Sequence, residues 1–212
     1  MVFPHPLAAH QDGLLAIGGD LSTTRLILAY HFGIFPWYQE GEEILWWSPD
    51  PRCVLFPDDL IIHKSMRSVL RKKTFEVTYN QAFARVIDHC KNTKRKGQDG
   101  TWITEDMASA YVSLHHLGHA HSVEVWSGED LVGGLYGIIL GKIFFGESMF
   151  NLAPNASKFG FIHLVQQLRK QNFRLIDCQQ DTPHLRSLGA TVISRDAFYN
   201  LLRKNQMDTL TS

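Results

Sequence analysis

Between Ser122 and Met149, three apolar runs of strand length follow one another: SVEVW, LVGGLYGIIL and KIFFGESM, joined by SGED and Gly141-Lys142. Joins this short connect strands by reversing them, so the centre of the chain is predicted to be an antiparallel meander. The flanks follow a different rhythm. RCVLF (Arg52 to Phe56) and FEVTY (Phe75 to Tyr79) read as strands, while HKSMRSVLRKK (His63 to Lys73) and QAFARVIDHC (Gln81 to Cys90) read as helices. A helix from about Glu105 to Leu117 has Thr104 as its cap and Gly118 as its stop. After the meander, a helix from about Ser157 to Gln171 leads into the apolar strand RLIDCQ, and Pro183 and Ser194 are predicted to open two short final helices. This order predicts the α+β class, a mixed sheet flanked by helices.

The segment before Arg52 is loop-rich and punctuated by glycine, with one helix from about Thr23 to Phe32 that Ser22 can cap and Gly33 can end. Phe35, Trp37, Tyr38, Trp46 and Trp47 crowd around WSPDPR, where Pro49 and Pro51 forbid regular helix. We expect a small amino-terminal domain over 1–51 and a larger domain over 52–212. The 212 residues carry equal numbers of basic and acidic side chains, 21 each, with 44% hydrophobic residues. That balance excludes intrinsic disorder and a polybasic nucleic-acid binder, so any nucleic-acid contact must use a local patch. Cys53, Cys90 and Cys178 show no CxxC spacing, the amino terminus has no secretory pattern, and no apolar run approaches the roughly 18 residues of a membrane span. A cytoplasmic protein without a membrane partner is expected.

Basic residues gather at Lys64, Arg67, Arg71, Lys72 and Lys73, and again at Lys91, Lys94, Arg95 and Lys96. They suit a face that tracks phosphates, although a solvated helix face and a basic loop would look the same. Trp37 and Trp102 stand in predicted loops bounded by proline or glycine, where an indole can stack on an unpaired base or pack between domains. Trp46 and Trp47 read as packing residues.

In LIDCQ, strand alternation puts Asp177 and Gln179 on one face and Cys178 on the other. Buried in an apolar strand, Asp177 needs a partner, and Gln179, a tyrosine or a ligand would serve. FFGESMF places Phe150 where a GxSxG nucleophile elbow needs its second glycine, so Ser148 is not read as a hydrolase nucleophile. From the residues alone, Glu147 then reads as an exposed carboxylate on a strand edge. Phe144 and Met149 read from pattern alone as plain core packing, because their opposite parity means a regular strand cannot aim both at one pocket unless Gly146 supplies a bulge. HHLGHAH lacks standard ligand spacing, and LVGGLYG contains no Walker or Rossmann fingerprint, so neither a metal nor a nucleotide cofactor is expected.

The strings GLLAIGGDLS, AYHFGIFPWY, LWWSPDPR, GTWIT, LGHAHSVEVW, LVGGLYG, FFGESMF, NASK, LIDCQ and HLRSLGA occur in this order from Phe3 to about Ala190. Together they resemble the leucyl/phenylalanyl-tRNA-protein transferase family. The resemblance implies a small amino-terminal domain and a larger domain similar to the GNAT acyltransferases. It implies transfer of Leu or Phe, with Met as a further candidate donor, from aminoacyl-tRNA to proteins bearing amino-terminal Arg or Lys, marking them for degradation by the N-degron pathway. Trp37 and Trp102 match the family's adenosine-holding tryptophans, and Asp177 and Gln179 match the positions associated with peptide-bond formation. Glu147 resembles the acidic residue that attracts the cationic acceptor, and Leu135, Phe144, Met149 and Ile176 match the side-chain pocket, although ordinary core packing explains Leu135 and Ile176 equally well. Arg67, Arg71, Lys72, Lys73, Lys94 and Arg95 are then expected on the tRNA backbone, and a monomer is expected. Asp177 takes the electrostatic and acceptor role and Gln179 the positioning role, while the group that removes a proton is left open.

Two rivals weigh against this reading. A coenzyme A-dependent acetyltransferase predicts a Gln/Arg-x-x-Gly-x-Gly/Ala turn, where FNLAPNASKFG stands instead. A non-catalytic tRNA-binding module leaves Asp177, Gln179 and Glu147 without a task.

Overall fold

A computed structural model describes residues 2–72, 74–93 and 103–210, which fold around two β-sheets. The amino-terminal segment builds the smaller sheet. Strand β1 (Leu14–Ile17), helix α1 (Thr23–His31), β2 (Phe35–Pro36) and β3 (Leu45–Trp47) follow in sequence, and β3 lies between β1 and β2, antiparallel to both. Ser22 Oγ accepts the Arg25 N–H at 3.4 Å at the start of α1, and Gly33 adopts φ 71° just beyond its end. The three strands fall in a stretch that reads as loop in the sequence. Each has two to four residues, and β2 ends in a proline, so none shows an alternation long enough to recognise.

The larger sheet begins with β4 (Arg52–Leu55), followed by α2 (Lys64–Lys72), β5 (Glu76–Tyr79), α3 (Phe83–Asn92) and α4 (Glu105–His116). The meander is β6 (Ala120–Ser127), β7 (Asp130–Leu140) and β8 (Ile143–Asn151). Helix α5 (Ala156–Lys170), β9 (Leu175–Gln179), α6 (Pro183–Ser187), β10 (Thr191–Ile193) and α7 (Arg195–Leu210) complete the chain. The strand order is β10-β4-β9-β8-β7-β6-β5. Every neighbouring pair is antiparallel except β8 and β9, which α5 connects as the crossover that a parallel pair requires. The architecture is α+β with a mixed sheet. The last helix runs beyond the short one expected, to Leu210.

The two faces of β7 bury different clusters. Tyr136, Ile138 and Leu140 join Val86 of α3, Tyr111 and Leu114 of α4, Leu26 and Tyr30 of α1, Trp46 of β3 and Leu202 of α7. Leu135 joins Ile162 and Val165 of α5 and Met66 of α2 on the opposite side. The first cluster therefore spans both sheets, with each fully buried large apolar side chain contributing about 1.5–3 kcal/mol. Helix α3 opens on Ala82, which has no side-chain oxygen to cap it. The buried Glu124 of β6 supplies the acceptor, taking Ala82 N–H at 3.3 Å, Gln81 N–H at 3.4 Å and the Thr78 hydroxyl at 2.6 Å. Among the described residues no helix is long and apolar enough to cross a membrane.

Candidate active site

A cavity of about 350 Å³ opens at the end of the parallel β8–β9 pairing, whose last pair is Phe145 and Asp177, and its lining includes Phe35, Pro36 and Trp37 together with Gln180, Thr182, His184 and Leu185. Its apolar wall includes Leu135, Phe144, Met149, Phe161 and Ile176, and its polar wall includes Glu147, Asp177 and Gln179. All four expected pocket residues and the expected acid–amide group therefore line one cavity.

A bulge makes this convergence possible. Tyr136 of β7 pairs with Ser148, but the next residue, Gly137, pairs with Gly146, leaving Glu147 as the extra residue on β8. One inserted residue reverses the side-chain alternation beyond it, so Phe144 and Met149 reach the same cavity despite their opposite parity.

Glu147 does not lie on a strand edge, the alternative its sequence left open. It is 9% exposed on an interior strand of the larger sheet. Its Oε1 accepts Gln179 Nε2–H at 3.0 Å, and its Oε2 accepts the Tyr111 hydroxyl at 3.0 Å. The Tyr111 hydroxyl also lies 2.5 Å from that of Tyr30, which joins α1 and α4 to the site. Burial pushes the Glu147 carboxyl up from 4.5 to about 7, opposed by the tyrosine hydrogen bonds and Arg52 and reinforced by the charge of Asp177. Tyr30 and Tyr111 are both raised above the ordinary phenol value, chiefly by burial and next by the nearby carboxylate.

Asp177 is fully buried, and the partner it requires is Arg52, a residue its sequence context did not single out. Arg52 Nε and Nη2 donate to the two Asp177 oxygens at 2.8 and 2.6 Å. A charged residue heading the otherwise apolar RCVLF strand was the available signal. Asp177 and Gln179 both line the cavity, but their side chains are not bonded to each other, and Cys178, expected on the opposite face, lines the cavity with them. The register of β4 against β9 shifts, with Val54 opposite Asp177 and Cys53 opposite Gln179, so Cys178 is an extra residue. Gln179 then adopts φ 60°, and Gln180 N–H donates to Cys178 O at 2.7 Å across it. Left-handed backbone at such a residue costs about 1–3 kcal/mol and persists where its surroundings fix it. The fixing contacts are the Gln179 N–H on Asp177 Oδ1 at 3.0 Å and the Gln179 amide on Glu147.

Trp37 is half-buried on the cavity wall, 5.7 Å from the Trp47 ring in an edge contact, and its carbonyl accepts Trp47 Nε1–H at 2.7 Å. Trp46 is buried with its Nε1–H on the Gly18 carbonyl at 2.9 Å, so Trp46 and Trp47 are packing residues. Arg71 and Lys72 are exposed in the last turn of α2, whereas Arg67 Nε donates to the Ile62 carbonyl at 3.0 Å. Trp102, Lys73, Lys94 and Arg95 lie outside the described residues.

Residues 54–203 match the family model described as leucyl/phenylalanyl-tRNA protein transferase, and residues 19–50 match the model of that family's amino-terminal domain. The chain belongs to the leucyl/phenylalanyl-tRNA protein transferase family. A leucyl/phenylalanyl-tRNA–protein transferase of Flavobacterium johnsoniae is 56% identical over 203 residues, covering 96% of each chain. That of Christiangramia forsetii is 58% identical over 202 residues, covering 94% of this chain and 95% of its own. That of Hydrogenovibrio crunogenus is 54% identical over 206 residues, covering 96% of this chain and 80% of its own. A GCN5-related N-acetyltransferase from Kribbella flavida aligns with 78% of the transferase-family chain and 58% of its own at 10% identity and a TM-score of 0.40, too distant to carry an argument.

Proposed function

We propose that this chain transfers leucine or phenylalanine from aminoacyl-tRNA to the α-amine of proteins that begin with Arg or Lys. The observation that carries this reading is the joining, in one cavity, of an apolar wall to a buried carboxylate–amide pair, in a member of this family. Leu135, Phe144, Met149 and Ile176 receive the donor's side chain, and Trp37 stacks on the terminal adenosine, with Trp102 assigned the same task by resemblance alone. The acceptor nitrogen attacks the ester carbonyl carbon, a tetrahedral intermediate collapses, and the tRNA 3′-oxygen leaves with a proton.

An α-amine has a pKa of about 7.7–8.0, so a useful fraction is already neutral and little base strength is needed. Orientation and charge placement carry the rate instead. Gln179 spends its N–H on Glu147, which leaves its Oε1 to accept a hydrogen bond from the attacking amine. Glu147, when ionised, draws the cationic acceptor toward the cavity. Arg71 and Lys72 contact the tRNA backbone, with Lys73, Lys94 and Arg95 assigned there by sequence alone. The protein works as a cytoplasmic monomer, and its product carries a destabilising first residue that commits it to degradation.

Coenzyme A chemistry is disfavoured by the start of α5. Asn151 Oδ1 already takes the Ser157 N–H at 2.9 Å, in the turn where a pyrophosphate would need free amides. Incubating the protein with Leu-tRNA and peptides beginning with Arg, acetylated Arg or Glu tests the reading. Leucylation of the free Arg peptide alone is expected. Failure to leucylate it, or acetylation from acetyl-coenzyme A instead, contradicts the reading.

A further inference from the structure

Arg52 heads β4 in the gap between the two matched family ranges, 19–50 and 54–203. It is 1% exposed, and two of its nitrogens meet the two Asp177 oxygens edge to edge. The Phe35 and Phe198 rings lie 4.8 and 4.7 Å from the guanidinium carbon, so β2 and α7 hold its position from the sides. Asp177 Oδ1 takes both Arg52 Nε and the Gln179 N–H. That N–H belongs to the residue in left-handed backbone, whose amide reaches Glu147. A continuous path thus runs from Arg52 through Asp177 and the Gln179 turn to the cavity.

We infer that Arg52 is a positioning residue for aminoacyl transfer, holding Asp177 so that Asp177 in turn holds the Gln179 turn, and that Asp177 acts through this turn rather than by taking the acceptor's proton. The inference rests on the transfer reading above. Oδ1 already accepts two donors and Oδ2 accepts Arg52 Nη2, so a proton on Oδ1 would displace the bond that fixes Gln179, and one on Oδ2 would face the guanidinium that orients the carboxylate. A group whose protonation dismantles its own scaffold is badly placed to serve as the base.

The test is single-turnover leucyl transfer to an Arg peptide at saturating Leu-tRNA, from acid to alkaline pH, with tRNA binding and thermal melts measured in parallel. Arg52→Gln removes the counter-charge and leaves Asp177 free to take up a proton. It is expected to slow transfer at neutral pH by about tenfold or more while tRNA affinity stays within about twofold. The titratable groups facing Asp177 are Arg52, Glu147, Cys53 and Cys178. Arg52 lowers the Glu147 carboxyl and Asp177 raises it, so the Glu147 limb itself moves between variants; the expected signature is a second, separate acid limb in Arg52→Gln that the parent lacks. Arg52→Lys, which keeps the charge, should recover part of the rate and lose that limb. The double variant Arg52→Gln/Asp177→Asn carries a neutral pair whose oxygen can still accept the Gln179 N–H, so it should outpace both Arg52→Gln and Asp177→Asn.

A folded Arg52→Gln with the parental rate and pH profile overturns the inference while leaving the transfer reading standing. So does a double variant no faster than Asp177→Asn, the result expected if Asp177 itself takes the proton. If Arg52→Gln fails to fold, Arg52→Lys and the double variant decide by the same criteria. Absence of transfer by the folded parent overturns the transfer reading, and the inference falls with it.

Discussion

At the scale of single residues, the cavity depends on one carboxyl kept near neutrality. Below pH 4.5, Glu147 holds its proton in both folded and unfolded chains; from there to about 7 the folded protein keeps a proton that the unfolded chain has lost. Its burial therefore lowers stability progressively through that window, by an amount on the order of 3 kcal/mol once pH exceeds about 7. Glu147→Gln removes the titration while retaining groups that can pair with Tyr111 and Gln179. Its melting temperature should rise relative to the parent as pH increases through this window and level off above it. Parallel melting curves for parent and variant across that window would contradict the assignment. That LIDCQ carries site residues is legible in its polar pair, but the geometry is not. Cys178 is an extra residue on β9 and lines the same cavity, so Asp177 and Gln179 converge through a register shift and the left-handed Gln179 rather than through alternation. The Arg52 contact joins residues 125 apart in sequence, which no local period encodes. The tyrosine pair above Glu147 is hidden for the same reason, since Tyr30 and Tyr111 lie on different helices and are 81 residues apart.

At the scale of elements, the decisive feature is the β8 bulge. It sits opposite Gly137, where an added Cβ would lie 2.2 Å from the Phe145 carbonyl oxygen and 2.5 Å from Phe144 Cζ. Neither neighbour can yield without disturbing the β7–β8 pairing or the cavity wall. Gly137→Ala is thus expected to cost about 1–3 kcal/mol or more and to impair use of Leu-tRNA. At Gly146, on the same bulge, an added Cβ meets nothing nearer than the Asp177 carbonyl oxygen at 3.4 Å. Gly146→Ala should therefore change stability by less than about 1 kcal/mol. Thermal melts of the two variants check the contrast, and equal losses would contradict the register. The meander and the long helices are legible because their apolar periods extend over many residues. The bulge is legible as a need, from the parity of Phe144 and Met149, but its site depends on the facing strand. The cap of α3 is hidden because Glu124 supplies it from another element.

At the scale of the whole molecule, a neutral chain separates its charges so that α2 ends in the exposed pair Arg71 and Lys72. If these residues touch phosphates, Arg71→Ala/Lys72→Ala should flatten the log–log salt dependence of tRNA binding by about 0.9 for each phosphate no longer neutralised. Slopes equal to the parent's would remove this face from the interface. The buried cluster running from Trp46 and Tyr30 to Tyr136 and Leu202 carries both sheets, so Trp37 and Glu147 are held within one packed body. The α+β class is readable from the order of elements, whereas this shared core depends on packing that composition and spacing do not specify. The central claim, that the cavity performs aminoacyl transfer with Gln179 organising the reacting amine, is tested most directly by single-turnover leucylation of an Arg peptide by parent and Gln179→Ala, with tRNA affinity measured separately. The account predicts transfer by the parent, and a chemical step at least about tenfold slower in the folded variant with nearly parental tRNA binding; no transfer by the parent, or a parental rate in Gln179→Ala, would contradict it.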